Sequence, residues 1–147
     1  MRMILSEWLK NGWLIEHKTS RQEIGHLLRL ADRDLADCRN ATLSSDWRFN
    51  IAYNAALQSA KAALAAAGFR AAKNDHHYRV IESLRFTLNS EDKLIRKLDA
   101  FRKKRNLSEY NHAGAVTAVE LGEIVVLAED LRKSVESWIM AQFPSLL

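Results

Sequence analysis

Ser44-Ser45-Asp46-Trp47-Arg48-Phe49-Asn50-Ile51-Ala52-Tyr53-Asn54-Ala55-Ala56-Leu57-Gln58-Ser59-Ala60-Lys61-Ala62-Ala63-Leu64-Ala65-Ala66-Ala67-Gly68 is the stretch that decides the fold. Ser44-Ser45-Asp46 offers a helix N-cap, because a short side-chain oxygen can accept backbone N–H groups that the first turn leaves without partners. Alanine is the best helix former, and nothing in Ala62-Ala63-Leu64-Ala65-Ala66-Ala67 interrupts a helix. Gly68 follows, and glycine suits the left-handed residue just past a helix C-terminus. Small side chains let neighbouring helices approach closely. Trp47, Phe49 and Tyr53 are interleaved as apolar anchors, which separates the run from low-complexity disorder. The stretch predicts the central, most buried helix of the protein.

The segments on either side are helical too. Upstream, Ile4, Leu5, Trp8 and Leu9 fall at helical spacing and stop near Asn11-Gly12. Trp13, Leu14 and Ile15 form an apolar patch, read as part of an N-terminal extension (1–18) that covers the core; a partner-binding segment is the alternative. Ser20 with Glu23 makes a capping-box pattern, and Ile24, Leu27, Leu28, Ala31, Leu35 and Cys38 mark one helical stripe behind it. Downstream, Phe69 to Asn74 is a connection, and Asp75 caps a helix through Tyr78, Val80, Ile81, Leu84 and Phe86 that ends near Asn89. Ser90-Glu91-Asp92 opens the next helix. Thr117 with Glu120 is a second capping box, before a long final helix that stops ahead of Pro144.

Composition agrees. The chain has 147 residues, 48% hydrophobic and 27% charged, with 5 Gly and 1 Pro, too little turn chemistry for an all-β fold. The expected architecture is all-α: an up-and-down four-helix bundle with a short additional N-terminal helix, in one domain over 1–147. A net charge of +4 suits an acidic partner or nucleic acid and is diagnostic of neither. Cys38 is the only cysteine, so no intramolecular disulfide can form, which fits a reducing compartment. No run approaches a membrane span and the N-terminus does not read as a signal peptide, so a cytoplasmic protein without a membrane partner is expected.

The candidate chemistry lies in Phe101-Arg102-Lys103-Lys104-Arg105-Asn106-Leu107-Ser108-Glu109-Tyr110-Asn111-His112. Arg105 and His112 are seven positions apart, which brings them to one helix stripe with Cα atoms about 10.5 Å apart if the helix runs through. Arg105 lies away from the apolar stripe of Leu94, Ile95, Leu98 and Phe101, so it is expected to face solvent or a partner protomer. His76-His77 looks metal-like, but adjacent residues point about 100° apart on a helix and no second ligand pair exists. They are read as polar first-turn residues near a surface, with no metal and no cofactor.

Three segments together carry a family resemblance: Asp46-Trp47-Arg48-Phe49-Asn50-Ile51-Ala52-Tyr53-Asn54-Ala55-Ala56 with its Ala-rich continuation, His76-His77-Tyr78-Arg79, and Lys104-Arg105-Asn106-Leu107-Ser108-Glu109-Tyr110. Over roughly Ser20 to Phe143 the sequence resembles the HEPN domain, in its short stand-alone bacterial form. The resemblance implies a four- or five-helix bundle, commonly a homodimer. Many members are metal-independent ribonucleases, often toxins paired with a nucleotidyltransferase antitoxin. Their signature is an Arg, a polar residue and a following His, which Arg105, Asn106 and His112 match at the longest spacing. The resemblance then assigns Arg105 to the phosphate and His112 to proton transfer, with Asn106 or Ser108 orienting them. Arg102, Lys103 and Lys104 would attract the RNA backbone, and Tyr110 would pack or stack. A non-catalytic subunit that binds a partner protein or nucleic acid is the alternative.

Overall fold

The computed structural model describes residues 2–73, 76–110 and 114–147, with the side chains of all of these except 2, 3 and 107–110. Its six α-helices are α1 (Arg2–Lys10), α2 (Arg21–Asp37), α3 (Ser45–Ala66), α4 (His76–Ser83), α5 (Asp92–Tyr110) and α6 (Ala118–Gln142). Two three-residue strands, β1 (Leu14–Glu16) and β2 (Phe69–Ala71), and a 3-10 turn at Pro144–Leu146 complete the described elements. The protein is predominantly helical, as expected. No described helix is long and apolar enough to cross a membrane.

The central helix is the one the alanines specify. Ser44 caps α3, its Oγ accepting the Trp47 N–H at 3.1 Å. Gly68 closes the C-terminal end with φ +98°, a backbone conformation that strains any residue with a Cβ. Fourteen residues of α3 are buried, eight of them alanines: Ala52, Ala55, Ala56, Ala60, Ala62, Ala63, Ala65 and Ala66. The small side chains let α2 and α6 pack along α3 as its principal neighbours, while α4 and α5 close another side. Phe49 and Phe101 meet edge to face in the core, with ring centroids 5.6 Å apart at 83°.

Local signals at the helix starts hold to different degrees. At α6 the capping box is complete: Thr117 Oγ1 accepts the Glu120 N–H at 3.1 Å, and Glu120 Oε1 accepts the Thr117 N–H at 3.0 Å. At α2 only half forms. Ser20 Oγ accepts the Glu23 N–H at 3.1 Å, but the Glu23 carboxylate turns instead to His17 at 2.7 Å and Thr19 at 2.6 Å.

Two expectations need correction. The connection after Gly68 contains β2, which pairs antiparallel with β1 in the register Leu14↔Ala71, Ile15↔Arg70 and Glu16↔Phe69. This ribbon buries Leu14 and leaves Trp13 and Ile15 exposed. A strand of three residues has no periodicity to read, and its partner is far away in the chain. The helix expected to run to Asn89 ends at Ser83. Beyond it Leu84, Arg85 and Phe86 make i→i−3 bonds to Ile81, Glu82 and Ser83, and Asn89 takes φ +57°. This tighter turn still buries Leu84, so the apolar spacing looked helical. The N-terminal segment rests on α4 through aromatic contacts. The Arg79 guanidinium lies 3.7 Å from the Trp13 ring centre and 5.2 Å from that of Trp8, and Trp8 also meets Phe86 edge to face at 5.4 Å.

The connection between α5 and α6 is tied to the start of α3. Asp46 Oδ1 accepts the Val116 N–H at 3.1 Å, and Oδ2 accepts the Gly114 N–H at 2.5 Å. Two charge-assisted bonds thus anchor the chain two positions after His112. Asp46→Ala is expected to lower stability by about 1–2 kcal/mol, with Asp46→Asn intermediate, as read from urea unfolding midpoints.

Candidate functional site

The central helix carries one polar stripe. Asp46, Asn50, Tyr53 and Lys61 step by four, three and eight residues, which confines them to an arc of about 80°. Such residue types are unusual on a helix otherwise buried among alanines. Asp46 anchors residues 114 and 116. Asn50 is 7% exposed, and its Oδ1 has no hydrogen-bond partner among the described residues. Tyr53 is fully buried, and its hydroxyl shares a 3.3 Å hydrogen bond with His77 Nδ1 from the first turn of α4.

Arg105 reaches this stripe from α5. Its guanidinium lies 5.4 Å from the centre of the Tyr53 ring, and the residue is half-buried. Arg105 is thus partly buried against the central helix of its own chain. The apolar stripe of α5 did not reveal this, because α3 presents a tyrosine face at that level, and a guanidinium stacks on an aromatic ring where an ammonium would not fit as well.

The other residues of the basic run are divided by their partners. Arg102 Nε donates to Asp99 Oδ1 at 2.7 Å, and its guanidinium lies 5.7 Å from the Tyr78 ring centre. Lys103 is mostly exposed, with its Nζ 3.5 Å from Asp99 Oδ2. Lys104 reaches Glu120 at 3.4 Å, linking α5 to the capped start of α6. Asn106 is exposed on α5. Ser108 and Tyr110 belong to α5 by backbone, and their side chains lie outside the described ones; His112 lies outside the described residues altogether. α5 extends to Tyr110, so the 102–105 cations occupy an inner turn and not the C-terminal one.

His77 and Tyr53 are the site residues that sequence reasoning missed. The histidine pair is not merely a surface feature of a first turn: both are half-buried, with rings edge to face at 4.7 Å. The available signal was the spacing of Asp46, Asn50, Tyr53 and Lys61 on a helix expected to be buried. Burial, then the neighbouring His76, Arg105, Lys61 and Arg102 charges, push the His77 pKa down to about 4. Burial above all raises that of Tyr53, against the pull of Arg105 and Arg102. Near neutral pH the pair is thus an uncharged imidazole and an intact phenol beside a fixed cation. When the phenol donates, the imidazole proton sits on Nε2.

This arrangement has a pH signature. The unfolded chain protonates His77 near the ordinary value of 6.5, whereas the folded chain does so only near 4. Between these values the unfolded state holds more protons, so stability falls as pH drops through that window and levels off below it. The loss across the whole window is on the order of 3 kcal/mol. Urea unfolding at several pH values is expected to show a shallower decline for His77→Gln than for the unaltered chain.

Among the described residues, no group of three or more His, Cys, Asp or Glu side chains is placed to hold a metal. Arg105, Tyr53 and His77 thus meet at one level of the central helix. Comparison with protein-family models finds no match, and comparison with curated proteins finds none.

Proposed function

We propose that this chain is an RNA-directed protein of the HEPN type, with Arg105 as its central phosphate contact. The observation that carries this reading is the position of Arg105, held over Tyr53 and beside neutral His77. In this reading α2, α3, α5 and α6 form the up-and-down four-helix bundle, and α4 is the short insert that brings His77 to α3. A guanidinium can hold a phosphate through two parallel N–H donors, and Arg102 lies three positions away on the same helix. Asn106, Lys103, Lys104, Ser108 and Tyr110 lie along the RNA path, and His112 supplies the proton transfer of metal-independent cleavage. Asp46 ties Gly114 and Val116 to the start of α3.

A homodimer belongs to the same proposal. Between α5 and α6 runs a groove of about 910 Å³ floored by Leu94, Leu127, Leu131 and Trp138. Val119 and Val126 stand exposed beside it, and its rims carry Lys93 on one side and Asp130 on the other. A two-fold axis along the groove would bring these opposite charges together and cover the apolar floor.

A binding-only subunit, recruited to RNA or to a partner such as a nucleotidyltransferase-type antitoxin, has one observation in its favour. Asp99 and Glu120 already pair with Arg102, Lys103 and Lys104, which weakens the field that α5 presents. Incubation of the full chain with single-stranded RNA in EDTA tests both versions. Salt-sensitive binding with strand cleavage supports the nuclease, and binding without cleavage supports the recruited subunit. RNA left both unbound and intact at low salt would overturn the RNA-directed reading.

A further inference from the structure

A second cavity lies on the other side of the α4 start. It has a volume of about 370 Å³ and is bounded by α2, α3, β2, α4 and His17. Its apolar wall includes Leu27, Leu64, Phe69 and Val80, and its polar residues include Lys61, Arg70 and Lys73. The size is at the low end for small-molecule sites, and an apolar wall with a few convergent charges is their usual make-up.

The charges do not balance within the cavity. Among the described residues that line it, Glu23 is the only carboxylate, and it is already engaged by His17 at 2.7 Å and by the Thr19 hydroxyl at 2.6 Å. Lys61 and the exposed Arg70 and Lys73 outnumber that one carboxylate among the described lining residues. Lys61 comes from the polar stripe of the central helix. Burial alone lowers its pKa, with no opposing contribution from a carboxylate. A half-buried ammonium beside apolar residues costs free energy unless something anionic meets it.

We propose that this cavity binds a small phosphate monoester with an apolar or aromatic body. The anionic head meets these cations, with Lys61 as the innermost contact and Arg70 and Lys73 at the rim. The body rests against Leu27, Leu64 and Phe69. This site goes beyond the RNA-directed reading and does not depend on it, since no residue of the basic run on α5 lines it.

Calorimetric titration of the full chain with phenyl phosphate tests the proposal, with inorganic phosphate and benzyl alcohol as comparisons. The expected result is saturable one-to-one binding of phenyl phosphate, at least about tenfold tighter than either comparison compound. Lys61→Met keeps the apolar stem and removes only the charge, so the fold is retained, and it is expected to weaken binding by about tenfold or more. Lys133→Met, an exposed position on α6, is expected to change binding less than about twofold. Three results would each overturn the proposal: no saturable binding at millimolar phenyl phosphate, equal affinity for inorganic phosphate, or equal losses in the two lysine variants.

Discussion

On the proposed RNA-directed function, Arg105→Ala is expected to reduce RNA binding, and any metal-independent cleavage, by about 10²-fold or more. The guanidinium is the one cation of the basic run held over the central helix, 5.4 Å from the Tyr53 ring centre. Its removal takes away a fixed charge at the place where a phosphate would sit. Arg105→Lys is expected to recover little, because an ammonium provides neither the bidentate donors nor the flat face that stacks on tyrosine. The fold is expected to survive, since the lost cation–π contact contributes only about 0.5–2 kcal/mol. Filter binding across a salt series separates this role from general attraction: the slope of log affinity against log salt should fall by about one for a lost phosphate contact. Binding that is unchanged in Arg105→Ala would remove Arg105 from the site. His112→Ala then separates the two functional versions, since it should abolish cleavage in the nuclease and leave affinity nearly unchanged in the binding subunit.

Phe49→Ala is expected to have the largest effect on stability, about 3–5 kcal/mol. Phe49 has no exposed surface, and it meets Phe101 edge to face, joining α3 to α5 at the level of the candidate site. Truncation leaves a cavity that the alanines around it cannot fill without moving whole helices. A loss of this size is a large fraction of the about 5–15 kcal/mol that stabilises an ordinary domain, so the variant should unfold at much lower urea. Phe101→Leu alone should cost less. The double substitution should reveal a coupling of about 0.5–1.5 kcal/mol from the paired rings. A Phe49→Ala loss below about 1 kcal/mol would mean that α3 and α5 do not pack through this pair.

The elements that could be read ahead of the structure are those whose signals are local. Ser44, the alanine run and Gly68 bound α3, and Thr117 with Glu120 marks the start of α6, because caps and helix propensities act within a few residues. Ser20 and Glu23 show where such signals stop being sufficient. The same box pattern is present, but His17 and Thr19 compete for the glutamate and take it. The β1–β2 ribbon is out of reach for a different reason. Its strands are too short for a pattern, and their pairing joins Leu14 to Ala71 across two helices.

For the candidate site, the sequence by itself determined the inventory: a basic run on a helix, a histidine pair after the central helix, and a polar stripe along that helix. These follow from residue identity and the 3.6-residue turn. Which of them meet was decided only by tertiary packing. Arg105 lies inward because Tyr53 offers it a ring face, and the His77 pKa is low because burial and neighbouring cations surround it. Both depend on how α4 and α5 settle against α3. That docking is a sum of contacts between residues distant in the chain, so no short stretch of sequence contains it.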